Sequence, residues 1–318
     1  YSDLQSLGVS LSNLQTSSIH LFGNGGGMLP HLNSDFRYSD LTENAIKVHD
    51  SNNNGIFESG DYILFYGMSS DVWKFNETTN LFEHETHLFA NEVNYFITID
   101  NQLQGSRVEQ ESDLNNATKT ITEYNAYAHH EQELENLIHS GRKWFGEQFS
   151  YDNSQFFNFS FPNLVQSKEV DVKISVVARS LQASNFKIDI NSVFLSNLSV
   201  PAVSTDYSAE FAKEKSINTQ YLSFSPDIGI NLEYSSSDNG AQAWLDYIEI
   251  NARRKLKVSS NYLTFRDVES LSNEIGEFVI ENANGFTVWD ITNPTHVQQL
   301  STSILGNNIY FNDSLTTL

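Results

Sequence analysis

A twelve-residue stretch from Asp50 to Asp61, with the sequence DSNNNGIFESGD, has the residue spacing of a calcium-binding loop. Oxygen-bearing groups fall at positions 1, 3, 5, 7, 9 and 12: the side chains of Asp50, Asn52, Asn54, Glu58 and Asp61, and the backbone carbonyl of Ile56. Gly55 stands at position 6, where such loops turn sharply. Because calcium takes roughly 6–8 oxygen ligands in a flexible shell, one short loop can supply most of them. The sequence therefore predicts a calcium ion at these residues.

The same stretch is also compatible with a plain β-turn that carries exposed acidic side chains, since Asn, Asp, Ser and Gly all favour turns. The six matched ligand positions, with the glycine in place, favour calcium over that alternative. The flanks differ from those of an EF-hand because they do not form amphipathic helices. Ala45–His49 predicts a short extended segment, and Tyr62–Tyr66 predicts a strand. A single loop between extended segments indicates a structural calcium ion that fixes the turn.

The overall composition limits the functions that the chain can have. Its 318 residues carry a formal net charge of −22, with a pI near 4.6. This acidity disfavours binding to nucleic acid or to anionic membrane surfaces, because both require Lys and Arg. The absence of cysteine excludes disulfides, thiolate metal sites and cysteine nucleophiles from this chain. No stretch resembles a signal peptide or a transmembrane segment, and Tyr1 is expected to be a processing boundary.

Short strands separated by polar turns dominate the pattern, which predicts a mainly β fold. We expect several antiparallel β-domains, including a jelly-roll-like sandwich, and one short helix. Alternating apolar residues mark the buried faces of the sandwich: Val170, Val172, Ile174 and Val176; Phe186, Ile188 and Ile190; Ile228, Ile230, Leu232 and Tyr234. Further strands are predicted at Ser18–Phe22, Leu81–Leu88, Tyr95–Asp100, Ala243–Asn251, Tyr262–Arg266, Glu277–Ile280 and Phe286–Ile291.

The predicted elements divide the chain into four segments. Residues 1–120 form an N-terminal β-domain that contains the calcium-type loop. The polar segment Asn101–Thr122, which overlaps the end of this domain, is predicted to be a connector. Residues 121–150 form a helical connector, and residues 151–255 form the β-sandwich. Residues 256–318 form an additional β segment.

The clearest helix pattern lies at Glu131–Ser140. Its helical stripe consists of Leu134, Leu137 and Ile138. His129 and His130 precede this helix, and as neighbours they would point in different directions. We interpret them as exposed capping histidines, because the nine histidines of the chain show no metal-ligand spacing.

Three other features could carry chemistry, and each has a more ordinary interpretation. Gly23–Gly27 is followed by Met-Leu-Pro rather than by a helix with a lysine, so it is interpreted as a turn and not as a phosphate-binding loop. Trp244 is either a sugar-stacking platform or, more commonly, part of a core. Arg253, Arg254 and Lys255 form a basic cluster that either pairs with nearby acids or contacts an acidic partner or an anionic glycolipid. No catalytic constellation stands out, so the chain by itself is expected to be non-catalytic.

Five segments of the chain together carry a family resemblance. They are GNGGGMLP at 23–30, DSNNNGIFESGDYILFYG at 50–67, SGRKWFGEQF at 140–149, AWLDYIEINARRKL at 243–256 and VWDITNP at 288–294. In this order they resemble the N-terminal, pre-catalytic region of the surface sortases of the type IX secretion system of Bacteroidetes. These sortases are relatives of the gingipain-type cysteine peptidases. The resemblance spans nearly the whole chain, from about Ser17 to Pro294.

The resemblance implies a larger protein in which a peptidase domain follows these β-domains and uses a Cys nucleophile with a His partner. That enzyme would cleave the C-terminal signal of secreted cargo and attach the cargo to anionic lipopolysaccharide. The resemblance also implies residence at the cell surface, on the extracellular face of the outer membrane, with the β-barrel PorV as a partner. This chain has no Cys, so it cannot supply the catalytic residues. It is expected to position the peptidase domain or to dock cargo or PorV.

Two functions of other classes also fit the sequence. The first is a glycan-binding jelly roll centred on Gln155–Asn251, with Trp244 as its stacking residue. The second is a structural surface adhesin, which rests on acidity and β content alone.

Overall fold

The computed structural model describes residues 1–112, 114–139, 141, 143–150, 152–272 and 274–316. The fold of this part of the chain is almost entirely β, with several antiparallel sheets and one short α-helix, α1 (Ser2–Ser6), which confirms the predicted fold class. A 3-10 turn at Thr16–Ser18 leads into the first strand. No helix among the described residues has both the length and the apolar character needed to cross a membrane.

The strands are short near both ends of the chain and long in its middle. In chain order they are β1 (Ile19–Phe22), β2 (Glu43–Asn44), β3 (Ile46–His49), β4 (Tyr62–Phe65), β5 (Val72–Asn76), β6 (Leu81–Glu85), β7 (Phe96–Ile99), β8 (Glu109–Gln110), β9 (Lys119–Ile121), β10 (Glu123–Glu131), β11 (Ser154–Ser160), β12 (Val170–Arg179), β13 (Ser184–Ile190), β14 (Val193–Val200), β15 (Lys213–Tyr221), β16 (Asp227–Ser236), β17 (Gln242–Lys255), β18 (Ile275–Ile280), β19 (Trp289–Asp290), β20 (Gln298–Gln299), β21 (Ser303–Leu305) and β22 (Asn308–Ser314).

The chain divides into two compact units. Unit 1 consists of Tyr1–Lys74, Glu85–Ile121 and Ser270–Leu318, and unit 2 consists of Phe75–His84 and Thr122–Glu269. This grouping differs from the four segments expected from the sequence. The last part of the chain groups with the N-terminal residues, and a short hairpin tip from the N-terminal region groups with the sandwich.

Unit 2 contains an eight-stranded jelly roll. One sheet has the order β10-β17-β12-β15 and the other has the order β11-β16-β13-β14, and every neighbouring pair is antiparallel. Counted along the unit, these orders are 1-8-3-6 and 2-7-4-5, which is the connectivity of two interlocked Greek keys. The predicted jelly-roll-like sandwich is confirmed, and β10 joins it as its first strand.

The core of the jelly roll lies between the inward faces of its two sheets, because alternate residues of a strand point to opposite sides. All of the alternating apolar residues that the sequence assigns to the buried faces of β12, β13 and β16 are buried. The period of two in the sequence therefore identifies the core correctly.

Unit 1 is built from smaller sheets. β1 pairs with β2 and β7, and β3 pairs with β4. The polar segment predicted to be a connector contains β8 and β9, which pair in parallel with β20 and β18. These pairings explain why the C-terminal residues group with the N-terminal ones. A buried cluster of Leu4, Leu14, Ile19, Leu21, Ile46 and Phe57 forms one core of this unit.

The helix predicted at Glu131–Ser140 is wrong. The first residue of that range ends β10, which pairs along its whole length with β17, and the last residue lies outside the described residues. Glu135 forms a β-bridge with Phe145. Of the predicted stripe, Leu134 and Ile138 are exposed and Leu137 packs against the buried cluster that contains Phe145, so the three residues do not form one buried face. Strand pairing at long range therefore overrides a local helical pattern.

Two of the predicted strands are much shorter in the structure than in the prediction. Tyr262–Arg266 contributes a single bridge, between Arg266 and Asn125, and Phe286–Ile291 is reduced to the two residues of β19. Both segments carry apolar residues in an exposed setting, including Tyr262 and Phe286. An apolar pattern predicts a strand only where a neighbouring strand is available to pair with it.

Candidate metal-binding sites

The predicted calcium loop connects the two strands of a hairpin. β3 and β4 are antiparallel, and His49 lies directly opposite Tyr62, so Asp50–Asp61 closes the hairpin. Asn53 and Gly55 have positive φ values of 55° and 78°. Glycine reaches this backbone region without a steric penalty, which explains its position at the sharp turn.

The first half of the loop is folded around Asp50. Asp50 Oδ2 accepts a hydrogen bond from Gly55 N at 2.7 Å, and Asp50 Oδ1 accepts from Asn52 N and Asn54 N at 3.3 Å each. The asparagine side chains repeat this pattern, since Asn52 Oδ1 accepts from Asn54 N at 3.1 Å and Asn54 Oδ1 accepts from Ile56 N at 2.7 Å. The predicted ligands at positions 1, 3 and 5 therefore also shape the backbone.

The second half of the loop is organised by Asp61 and Glu58. Asp61 is buried, and its two oxygens accept from Ser51 N at 2.8 Å and from Glu58 N at 2.9 Å. These backbone hydrogen bonds lower the pKa of Asp61. The side-chain amides of Asn52 and Asn54 both donate to Glu58 Oε1. The structure thus joins all of the predicted side-chain ligands in one hydrogen-bonded turn.

The donor set of the loop fits a hard cation. Every predicted ligand offers oxygen, and calcium prefers carboxylate, amide and carbonyl oxygens. A carboxylate has about four lone-pair sites, so an oxygen that accepts an amide hydrogen bond can still coordinate a metal. Only one group of three His, Asp or Glu ligand atoms within 4.8 Å of one another occurs among the described residues, and it does not lie in this loop. Calcium coordination by the loop therefore stays a prediction.

The loop is anchored to the core of unit 1 through the residue at its position 8. Phe57 is buried, and its backbone N donates to Leu14 O at 2.7 Å. Thr16 N donates to Gly55 O at 2.9 Å, and together these bonds make an antiparallel β-bridge between Gln15 and Ile56. The anchor uses backbone groups and a buried ring, so it attaches the loop to the core of unit 1 without using the acidic side chains.

A second polar arrangement lies on the outer face of the jelly-roll sheet that contains β10 and β17, where the hairpin tip Phe75–His84 packs. Asn251 pairs with the backbone of Phe82 as a neighbouring strand would: Phe82 N donates to Asn251 Oδ1 at 2.8 Å, and Asn251 Nδ2 donates to Phe82 O at 2.9 Å. His84 N donates to Glu249 Oε1 at 2.9 Å. Asn251 and Glu249 are buried, so these polar side chains fix the hairpin tip to the sheet.

Lys173 completes this polar clamp. Its Nζ lies 3.2 Å from Glu249 Oε2 and 3.7 Å from Glu83 Oε1, and 5.2 Å from the centroid of the Tyr247 ring. Burial alone would lower the pKa of Lys173, but hydrogen bonds and charge from Tyr247 and Glu249 outweigh it and raise the pKa. Lys173 therefore stays charged and links the hairpin tip to β12 and β17.

Beside the clamp, the fold brings together three residues that the sequence does not connect. Potential ligand atoms of His84, His129 and Glu131 all lie within 4.8 Å of one another. The two imidazole rings are stacked, with centroids 3.3 Å apart and an interplanar angle of 20°, and His84 Nδ1 lies 3.9 Å from Glu131 Oε2. Burial, together with the charges of Glu131 and Asp246, raises the pKa of Glu133, which follows β10.

The interpretation of the adjacent histidines as exposed helix caps is wrong, because both lie within β10. His129 is part of the cluster, and His130 Nε2 lies 2.7 Å from Glu147 Oε1. Recognition of β10 would have placed His129 and Glu131 on one face, since residues two apart on a strand point to the same side. The contribution of His84 comes from a distant strand and leaves no signal in the sequence.

Trp244 is part of the core and not a sugar-stacking platform. Its side chain is 1% exposed and packs with Phe145 and Val177. The indole Nε1 donates to Glu135 Oε2 at 2.6 Å, which satisfies the polar atom of a buried ring. The glycan-binding alternative therefore loses the residue that motivated it.

The basic cluster at the end of the sandwich supports the interpretation of pairing with nearby acids. Arg253 is buried, and its Nη1 donates to Asp267 Oδ1 at 2.6 Å and to Asn125 Oδ1 at 2.8 Å. Arg254 Nε donates to the carbonyl of Pro162 at 2.5 Å. Arg253 is thus a structural cation of unit 2.

Comparison with known proteins shows what this geometry resembles. No protein-family model and no curated protein sequence matches the chain. The crystal structure of dimeric latent PorU from Porphyromonas gingivalis matches 94% of this chain, with a TM-score of 0.76 and 22% sequence identity, and the match covers 28% of that PorU chain. The chain therefore has the fold of a PorU region about a quarter as long as PorU itself.

Other solved structures are much less similar. A carbohydrate-binding module CBM36 in complex with calcium and xylotriose matches 30% of this chain and 71% of its own, with 14% identity and a TM-score of 0.21. The insecticidal delta-endotoxin Cry8Ea1 from Bacillus thuringiensis matches 76% of this chain and 43% of its own, with 12% identity and a TM-score of 0.28. At such TM-scores neither protein informs the fold or the ligands of this chain.

Proposed function

We propose that this chain is the non-catalytic N-terminal β-scaffold of a type IX secretion sortase. The main support is the PorU fold, which extends over 94% of the chain with a TM-score of 0.76. The five collinear segments support the same assignment. The chain has no cysteine, so the thiolate needed for peptide cleavage and acyl transfer would come from another part of the protein.

In this proposal the whole protein removes the C-terminal signal from secreted cargo. It then transfers the cargo acyl group to an amine of anionic lipopolysaccharide at the cell surface. The chain supplies a rigid β framework that positions the peptidase domain. PorV and the cargo are the proposed partners, on the extracellular face of the outer membrane.

We assign contact with the peptidase domain to the apolar segment between β1 and β2. Its exposed residues are Leu29, Leu32, Phe36, Tyr38 and Leu41. Phe36 and Tyr38 pack edge to face with their ring centroids 5.2 Å apart, so their shared apolar surface faces solvent. Covering such surface releases free energy in proportion to the area buried.

The experiment compares the whole protein with a form that lacks residues 1–318. Signal cleavage from a cargo protein should fall at least tenfold without the scaffold, and the chain added as a separate polypeptide should restore part of it. Phe36→Asp should abolish the restoration, because a charge cannot pack on an apolar partner. Phe224→Asp is the control, since Phe224 is about as exposed as Phe36, at 74% against 78%, but lies in unit 2.

The proposal fails if the whole protein contains no Cys/His peptidase domain. It also fails if the peptidase domain alone is as active as the whole protein. A separate pull-down with detergent-solubilised PorV tests the partner, and retention of PorV by the whole protein but not by the form without residues 1–318 is the expected result.

We also propose that the loop at Asp50–Asp61 holds a structural calcium ion. The ligands would be Asp50, Asn52, Asn54, the Ile56 carbonyl and Asp61, with Glu58 bound directly or through water. Crystals grown with calcium should show ligand oxygens at about 2.3–2.6 Å, whereas magnesium would give about 2.0–2.1 Å. Loss of the ion when Asp61 is replaced by Asn would support the assignment, and density for water alone in saturating calcium would refute it.

A further inference from the structure

The cluster of His84, His129 and Glu131 has the composition of a site for a borderline transition metal. Imidazole nitrogens and a carboxylate oxygen are ligands that zinc accepts, whereas calcium and magnesium prefer oxygen alone. With three protein ligands, a fourth position is left for water. The donor set is thus distinct from that of the Asp50–Asp61 loop.

The distances within the cluster are close to those of a zinc site. Bond lengths of about 2.0–2.1 Å place two ligands of a tetrahedral zinc ion about 3.4 Å apart. His84 Nδ1 and Glu131 Oε2 are 3.9 Å apart, and all three ligand atoms lie within 4.8 Å of one another. Because the imidazole rings of His84 and His129 are stacked at an interplanar angle of 20°, one ring must turn out of the stack before both nitrogens can face the same ion.

The positions of the three residues are fixed by the backbone. His129 and Glu131 lie on one face of β10, opposite Glu249 and Tyr247 of β17. His84 is held from the other side, because its backbone N donates to Glu249 Oε1 at 2.9 Å. The side chain of His84 is 5% exposed and that of Glu131 is 20% exposed, so the cluster is shielded from bulk water. A donor set with fixed backbone positions and partly buried side chains loses less entropy on binding a metal than an exposed one.

We propose that His84, His129 and Glu131 bind a zinc-class divalent cation that joins the hairpin tip Phe75–His84 to the jelly roll. The ion would add a link between β6 and β10 beside the polar clamp of Asn251, Glu249 and Lys173. Because such an ion binds only where both strands are in place, it stabilises the folded unit by mass action.

The experiment uses the purified 318-residue chain after treatment with a chelator. Titration with Co²⁺ should give the intense visible absorption bands of tetrahedral coordination, and titration with Zn²⁺ should remove them at one ion per chain. His84→Gln and His129→Gln should each weaken Zn²⁺ binding at least tenfold. His130→Gln is the matched control, because His130 is the next residue of β10 and pairs with Glu147 instead.

Thermal unfolding separates loss of binding from loss of folding. In chelator, the variants should melt within a few degrees of the wild type, and only the wild type and His130→Gln should gain stability when Zn²⁺ is added. Equal Zn²⁺ affinity of the wild type and the His84→Gln/His129→Gln double variant would overturn the proposal. The absence of tetrahedral Co²⁺ bands in the wild type would overturn it without reference to any variant.

Discussion

The loop at Asp50–Asp61 and the cluster of His84, His129 and Glu131 are two candidate metal sites built in opposite ways. The loop takes all of its predicted ligands from one turn of chain, and the carboxylates of Asp50 and Asp61 already accept hydrogen bonds from backbone N–H groups. The cluster takes its ligands from two strands, β6 and β10, and depends on tertiary contacts to bring them together.

This difference separates local from tertiary information. In the loop, the residues that would bind the ion also fold the turn, so sequence spacing predicts the site. In the cluster, the polar clamp of Asn251 and Glu249 aligns His84 with β10. The three ligands of the cluster therefore cannot be recognised as one site from the sequence alone. We expect perturbations of tertiary packing to affect the cluster and to leave the loop intact.

The largest expected effect comes from breaking the clamp with Asn251→Leu. This change leaves Phe82 N–H and C=O without their partner, and two unsatisfied buried groups cost about 2–6 kcal/mol in the free energy of unfolding. Zinc affinity of the cluster should fall at least tenfold, whereas any stabilisation by calcium should be unchanged. Urea denaturation and Zn²⁺ titration measure both, with Asn158→Leu on the exposed side of β11 as control. Unchanged zinc affinity would show that the clamp does not position His84.

The next effect concerns the dual role of the loop carboxylates. Asp61→Ala should destabilise the chain by about 1–3 kcal/mol even in chelator, because the N–H groups of Ser51 and Glu58 lose a buried acceptor. In calcium at about 100 times its Kd, the wild type should gain about 2.7 kcal/mol that the variant does not. Thermal unfolding with and without calcium gives both numbers. A variant that gains as much as the wild type would remove Asp61 from the ligand set.

The third prediction concerns Asp313, whose pKa is raised, whereas the pKa of Asp61 in the loop is lowered. Burial, together with the charges of Asp290 and Glu111, raises the pKa of Asp313 from its ordinary value of 3.8 to about 6. The folded state then binds more protons than the unfolded state between these pH values, so stability falls as pH rises from about 4 to 6. Asp313→Asn should remove this fall and add about 1 kcal/mol at pH 7. Melting temperatures at pH 4.5 and pH 7 test it, and an unchanged pH dependence would contradict it.

The smallest expected effect is the coupling between the two sites. Asp61 and His84 belong to different units and sit in different hydrogen-bond networks. In a double-mutant cycle of Asp61→Ala and His84→Gln, the coupling free energy should stay within about 0.5 kcal/mol. Unfolding in the presence of both metals provides the measurement. A larger coupling would mean that the two sites stabilise one cooperative structure.

The fold could be predicted from the sequence where the pattern was local and periodic. The buried faces of β12, β13 and β16 follow from alternating apolar residues, and the turn at Asp50–Asp61 follows from its residue spacing. β15 was missed because it lies at a sheet edge and most of its residues are polar and exposed. β10 was missed because its alternation is weak and the pattern after it resembles a helix.

The strand order of the jelly roll also has a consequence for biosynthesis. β16 and β17 emerge last from the ribosome, yet each occupies an interior place in its sheet, between strands made much earlier. Phe82 must wait for Asn251, which follows 169 residues later. The two sheets of the jelly roll therefore cannot be completed until nearly all of unit 2 has been translated. Because their strand pairs join residues far apart in the sequence, we expect folding of this unit to be slow. Such a delay leaves strand edges exposed and makes them targets for chaperones.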